Sequence, residues 1–346
     1  MTLPIEATLA PMEAESVEEM PAGDGWQYEP KWDGFRCLVF RDGDSVRLQS
    51  EAGQPLARYF PVLVEIFRRL PPPRYVLDGE IAVPVDGKLS FDDLLQRIHP
   101  AESRVKKLAA QTPAVFIVFD LLVDEVGGSL VSHPLSERRG KLEAFAKAQF
   151  EGERSLELSP ATRDVSQARE WLAGVGGDLD GVVAKRLDEP YISGERAMKK
   201  VKLWRTADCV VGGFRYGSKT KIVGSLLLGL YDEDGRLDHV GFCSSLKVSE
   251  REALTPKLEK LVAPPGFTGR APGGPSRWST ERTGEWQPLE PKLVVEVQYD
   301  HFSQDRFRHG TRFMRWRPDK APRQCTLEQV ARKRRGSGPE SSRRNG

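Results

Sequence analysis

Val76-Leu77-Asp78-Gly79-Glu80-Ile81-Ala82-Val83 alternates along its length: Asp78 and Glu80, two residues apart, share one face of a strand, while Leu77, Ile81 and Val83 pack on the other. A segment of this kind gives one face to a core and one to chemistry. Strand signals also cover residues 35–40, turning at Asp42-Gly43, and residues 114–122, 181–186 and 198–204. Between them, residues 61–70 place Leu63, Ile66, Phe67 and Leu70 at helical spacing, and helical patterns recur at 91–98, 135–148 and 165–173. No regular strand-helix-strand unit repeats, which argues for an α+β domain with antiparallel sheets.

After about Arg205 the pattern changes. Strands dominate (209–214, 225–231, 239–242, 293–299 and 312–316), with one helical segment near 248–261. Several short strands plus one helix are what a five-stranded barrel of the oligonucleotide-binding (OB) type requires. The Pro/Gly-rich stretch 263–275 reads as a loop inside this second domain. The expected division is 1–205 for the first domain, 206–333 for the second, and 334–346 for a disordered basic tail.

Composition bounds the function. With 39% hydrophobic residues, 346 positions suffice for two separate cores. No run reaches the roughly eighteen apolar residues of a membrane span, and residues 1–20 are acidic without an apolar signal core, so the expected location is cytoplasmic. Cys37, Cys209, Cys243 and Cys325 are scattered singly, which offers neither a disulfide framework nor a Cys-x-x-Cys zinc pair. The histidines are dispersed too, with no His-Glu-x-x-His helix, and zinc hydrolysis is disfavoured. A net charge of +2 implies no nucleic-acid partner by itself. Its distribution says more: 13–24 is acidic, whereas 306–317 carries Arg306, Arg308, Arg312, Arg315 and Arg317 with Phe307, Phe313 and Trp316 interleaved, and 332–335 is basic. Cations among stacking rings suit a phosphate backbone, and they suit equally a solvated sheet face with aromatic anchors.

The strongest local signal is Glu29-Pro30-Lys31-Trp32-Asp33-Gly34-Phe35-Arg36. A lysine in a tight connection before a strand, with an arginine five residues on, can offer its amine to a phosphoester while the arginine holds the sugar. Free lysine titrates at about 10.4, so a nucleophilic lysine needs cations or desolvation supplied from elsewhere in the chain. Asp78 and Glu80 can orient a ribose or a hard cation. In Met198-Lys199-Lys200-Val201-Lys202-Leu203-Trp204, strand spacing sets Lys200 beside Lys202, either to receive an anion such as an α-phosphate or as a solvated face. Asp180-Gly181-Val182-Val183-Ala184-Lys185 adds an acid at a turn before a buried strand ending in lysine. Phe119, in an apolar strand, can stack on a base or pack as core. Arg317-Pro318-Asp319-Lys320 sets two cations about one carboxylate. Two glycine-rich stretches are excluded as nucleotide motifs. Ser218 stands between glycine and lysine in Gly217-Ser218-Lys219-Thr220, so it is no P-loop, and Leu179 replaces the third glycine of a dinucleotide fingerprint in 174–181.

Taken in order, these segments resemble the motif series of the covalent nucleotidyltransferase superfamily, which contains ATP-dependent DNA ligases, RNA ligases and mRNA capping enzymes; the match runs from 29 to 320. Arg97-Ile98-His99-Pro100, residues 180–186 and Gly224-Ser225-Leu226-Leu227-Leu228-Gly229 are similar to the bacterial LigC-type ligases and the LigD ligase domain in particular. The resemblance implies a nucleotidyltransferase domain of ATP-grasp-like antiparallel sheets followed by an OB barrel. It implies an ATP-dependent DNA ligase that seals 3′-hydroxyl/5′-phosphate nicks through a lysyl-AMP, in DNA repair.

Carried over by position, Lys31 resembles the nucleophile, Glu29 the reader of the adenine amino group, Arg36 and Glu80 the ribose-side contacts, and Phe119 the aromatic that stacks on adenine. Asp180, with Glu80, falls on the metal-binding side; Lys185, Lys200 and Lys202 fall on the phosphate-binding lysines; Arg317, Asp319 and Lys320 fall on the last motif, which closes over pyrophosphate and then swings away. ATP with Mg²⁺ or Mn²⁺, nicked double-stranded DNA, an adjoining repair polymerase, a monomeric state and association with the bacterial nucleoid follow as expectations. The roughly thirty residues before Lys31 are too few for the DNA-embracing domain of larger ligases, so grip on the duplex is expected from the two domains, the tail or a partner. Two positions depart from the family pattern. Ser50-Glu51-Ala52-Gly53 replaces Ser-Arg-Asn-Gly and removes a cation, and Asp180 replaces a glutamate one methylene longer, implying a metal contact through water.

Overall fold

Two sheets form the first of the two units into which the chain divides, Met1–Leu203 and Trp204–Gly346. The computed structural model describes residues 3–174, 179–218, 220–273 and 285–330. The basic tail, Lys219, and parts of the 174–181 and 263–275 stretches lie outside the described residues.

The larger sheet of the first unit runs Ser45–Ser50, Phe35–Asp42, Arg74–Ala82, Val115–Val123, Leu156–Leu158. Its strands alternate as the sequence requires. Cys37, Val39, Leu77 and Phe116 face a core shared with the helices Pro61–Arg69 and Leu135–Gln149, while Leu38, Phe40, Val76 and Leu122 face the second sheet. That second sheet runs Ala14–Ser16, Met198–Val201, Leu179–Arg186, Trp26–Trp32. Met12, Tyr191 and Met198 close the apolar layer between the sheets, and the helix Val165–Ala173 covers the outer face of the second sheet at Tyr28, Val182 and Ala184. Period two therefore turns Arg36, Glu80, Glu29, Lys31, Lys185 and Lys200 toward the same interlayer space.

Three local readings are corrected. Both sheets are antiparallel inside but carry one parallel pairing each at an edge, Val115–Val123 with Leu156–Leu158 and Ala14–Ser16 with Met198–Val201. Lys31 lies within the strand Trp26–Trp32, paired opposite Gly181, rather than in a tight connection; the turn is Asp33-Gly34. Lys202 lies just past the end of its strand at Val201, so strand spacing does not set it beside Lys200. The helix Glu102–Gln111 gave no clear signal because only Val105 and Ala109 of it are buried.

The second unit is the barrel. In chain order its main strands are Arg205–Tyr216, Val223–Tyr231, Leu237–Cys243, Val294–Tyr299 and Arg312–Trp316, and the sheet connects them third, second, first, fourth, fifth. A parallel bridge between Cys243 and Thr311 brings the fifth strand back to the third, and the helix Val248–Glu259 fills the connection between the third and fourth strands. Cys209, Val211, Leu226, Leu228, Val240 and Val295 form its core.

Candidate active site

One pocket in the first unit is lined by Glu29, Lys31, Arg36, Glu51, Glu80, Phe119, Lys185 and Lys200 among others. Asp33-Gly34 turns the chain directly above it. A Cβ at Gly34 would sit 2.3 Å from the Ile81 carbonyl oxygen and 2.8 Å from Glu80 Cγ, so only glycine lets this turn close onto the Glu80 strand.

Lys31 Nζ lies 2.7 Å from Asp180 Oδ2, and Lys202 Nζ lies 3.0 Å from the same oxygen. Pairing shifts by one residue here, Leu179 opposite Trp32 and Gly181 opposite Lys31, so Asp180 is the unpaired residue of a bulge. Burial acts to raise the Asp180 pKa, but Lys31 and Lys202 overcome it and hold the carboxyl below its ordinary value. Lys200 is lowered by burial and by the charges of Lys31 and Lys202.

At one wall, Lys185 Nζ meets Glu29 Oε2 at 2.8 Å, both side chains nearly inaccessible, and Gln27 Nε2 donates to Glu29 Oε1 at 2.8 Å. Phe119 is the least buried residue of its strand and is again the extra residue of a bulge, since Asp78 pairs with Asp120 and Gly79 with Val118. Its ring is flanked by cations: the guanidinium carbon of Arg36 lies 4.9 Å from the ring centre and Lys185 Nζ 4.8 Å. Of the two readings open for Phe119, core or site, its position on the pocket wall fits the second.

The paired acids separate in role. Asp78 is wholly buried and gives both oxygens to Arg36, at 2.8 Å to Nε and 2.6 Å to Nη2. Burial opposes the charge on Arg36 and Asp78 more than restores it, raising its pKa. Glu80 remains on the pocket wall, where burial pushes its carboxyl up to about 8 against the opposing pull of Lys31 and Arg36.

For a hard cation the donor set is sparse. Among the described residues no three His, Cys, Asp or Glu side chains gather to hold an ion, and Asp180 already holds two ammonium groups. Glu80 fits the need, as a desolvated carboxyl that a cation would ionise; phosphate oxygens and water must complete the shell.

Arg317 and Lys320 belong to the second unit, where Arg317 Nη1 meets Asp208 Oδ1 at 2.8 Å, Lys320 Nζ lies 3.5 Å from Asp208 Oδ2, and Asp319 pairs with Arg317. Tyr191, Gln27 and Glu13 escaped the sequence reading. Tyr191 and Gln27 touch the site only through hydrogen bonds to Asp78 and Glu29, and Glu13 reaches the pocket through the pairing of an edge strand.

Residues 7–202 match the family model described as ATP dependent DNA ligase domain, and residues 219–320 the model described as ATP dependent DNA ligase C terminal region. The chain is 45% identical over 349 residues to DNA ligase C2 of Mycolicibacterium smegmatis, covering 95% of this chain and 96% of that one. It is 31% identical over 307 residues to the multifunctional non-homologous end joining DNA repair protein LigD of Mycobacterium tuberculosis, covering 88% of this chain and 37% of the relative. A solved structure of a Lig E DNA ligase, 16% identical, shares the fold with a TM-score of 0.57 over 89% of this chain and 100% of that one.

Proposed function

The chain belongs to the ATP-dependent DNA ligases, and on that membership we propose that Lys31 takes AMP from ATP and that the acceptor is the 5′-phosphate at a nick in duplex DNA. The observation that carries this reading is that Lys31 lines one pocket with Lys200, Glu80, Phe119 and the Glu29–Lys185 pair, while Asp180 ion-pairs both Lys31 and Lys202.

Adenine is assigned to the face of Phe119, with its amino group toward Glu29, and the ribose to Arg36 and Glu80. The Lys31 amine, its proton lost to water, attacks the α-phosphorus; the nitrogen–phosphorus bond forms as the bond to pyrophosphate breaks, and a lysyl-AMP phosphoramidate remains. Lys200 and Lys202 spread the charge that develops on the phosphoryl oxygens, whereas Lys185, expected at a phosphate, is paired with Glu29 and stands 4.8 Å from the Phe119 ring centre, on the side assigned to adenine. A bound Mg²⁺ or Mn²⁺ would supply charge neutralisation at those oxygens; Glu80 is the carboxylate that would hold it, with Asp180, already paired to Lys31 and Lys202, beside it through water. AMP then passes to the 5′-phosphate of the nick, and the 3′-hydroxyl displaces it to close the strand. For Arg317 and Lys320, which the second unit pins at Asp208, the assigned contact is pyrophosphate during adenylation.

The setting proposed is DNA repair, since LigD, named as an end-joining repair protein, is a relative; a repair polymerase is the partner assigned, and the chain is taken to act as a monomer. The location proposed is cytoplasmic and nucleoid-associated; no helix among the described residues is long and apolar enough to cross a membrane. Mass spectrometry after ATP treatment tests the reading. The intact protein should gain one AMP and Lys31→Ala none, and an adduct that persists in that variant sinks the assignment.

A further inference from the structure

Arg36 reaches the pocket on a support that extends well behind it. Its Nε and Nη2 are held by Asp78, and Nη1 has no protein partner among the described residues, so one edge of the guanidinium is left to the pocket it lines. Asp78 is inaccessible to solvent, and its Oδ2 accepts a second hydrogen bond from the Tyr191 hydroxyl at 2.7 Å. Tyr191 is itself only 3% exposed and lies in the connection between the strands Leu179–Arg186 and Met198–Val201. Its oxygen accepts from the Met12 amide at 2.9 Å, its amide donates to the Val131 carbonyl at 2.9 Å, and the Arg138 guanidinium stands 5.7 Å from its ring centre.

We propose that Tyr191 is a positioning residue of the nucleotide site: its hydroxyl fixes the Asp78 carboxylate, which fixes the plane of Arg36 against Phe119 and so the edge that meets the sugar. The argument is geometric. A carboxylate bound by one guanidinium alone can rotate about its Cβ–Cγ bond; a donor on a third side, from a ring locked by packing, removes that freedom. Burial and the neighbouring Asp78 charge push the Tyr191 phenol well above the ordinary tyrosine range, so it stays a donor throughout the working pH range. Removing the hydroxyl leaves the fold its ring, takes from Arg36 its alignment and takes from the Met12 amide its acceptor.

The proposal rests on the sugar-side assignment of Arg36, and its test is made independent of the lysine chemistry by using the full chain carrying Lys31→Ala, in which binding is measured without reaction. Calorimetric titration with ATP and with 2′-deoxy-ATP compares that parent with the same chain carrying Tyr191→Phe as well. The loss of the hydrogen bond to Asp78 is expected to weaken ATP about fivefold and to weaken 2′-deoxy-ATP less, so that the preference for ribose shrinks, while the Met12 amide left without its acceptor costs stability alone. Asp78→Asn, which keeps the shape and weakens the hold on Arg36, should move both values the same way and serves if Tyr191→Phe does not fold. If a folded variant melts at a lower temperature while binding both nucleotides as its parent does, Tyr191 is merely structural and the proposal is overturned. A failure of the wild type to form the AMP adduct would instead strike at Lys31 and leave this comparison readable.

Discussion

Phe119 and Asp180 occupy the same kind of position in two different sheets: each is the one extra residue of a β-bulge, the first lining the pocket and the second ion-paired to Lys31, which lines it too. A bulge re-aims a side chain that regular pairing would send elsewhere. Here one bulge turns a ring outward from an otherwise buried strand, and the other brings a carboxylate to the lysine opposite.

Asp180 is therefore expected to be needed for chemistry more than for nucleotide binding. Asp180→Asn keeps the bulge but leaves Lys31 and Lys202 without their shared anion. Single-turnover adenylation at saturating ATP should slow by about a hundredfold, the scale on which one preorganised electrostatic contact acts. A rate within twofold of wild type would show that the carboxylate only tethers.

Phe119→Leu removes the ring while keeping apolar bulk. Base stacking contributes about 1–3 kcal/mol, so the KM for ATP in adenylation should rise about tenfold with a smaller change in the saturating rate. An unchanged KM would place the adenine elsewhere.

Glu80 gives the pH dependence. Burial holds its carboxyl at about 8 in the folded chain, well above its ordinary 4.5, so between those values the native state binds a proton that the unfolded state has released. Stability from this group is present below pH 4.5 and is lost as pH rises through about 8. The melting temperature of the nucleotide-free protein should thus decline more steeply from pH 5 to 9 than that of Glu80→Gln, and parallel curves would refute the shift.

Glu51 stands where the resemblance leads one to expect a cation, and it lines the pocket, where its charge acts on Lys200. On the proposed phosphate role of Lys200, Glu51 would compete with incoming phosphate for that ammonium group. Glu51→Arg should lower the KM for ATP by about three- to tenfold, the range of one charge-assisted contact at a part-exposed site. A KM that rises instead would assign Glu51 to cation binding.

Much of the fold and of the site is legible in the sequence. The alternation in residues 76–83 gave the strand and both acids, because period two is written directly in the letters, and the change of pattern near Arg205 marked the barrel. The place of Lys31 inside the strand, one residue from its end, was not legible, since Lys-Trp-Asp-Gly reads as a turn and the turn begins only at Asp33. Nor were the two bulges, which depend on how partners remote in sequence count off against each other. The separate fates of Asp78 and Glu80 had no signal at all. Equal by alternation, they differ because Arg36 and Tyr191 converge on the first and leave the second on the pocket wall.

The short strand Ala14–Ser16 lies along Met198–Val201, which carries Lys200, and Glu13 and Ala14 touch the pocket itself. For protein engineering this makes the leading segment a poor place to trim or to graft a reporter. Cutting within residues 12–16 would strip the border from Lys200 and free the Met12 amide from Tyr191, so damage would appear first as a loosened grip on ATP and only later as unfolding.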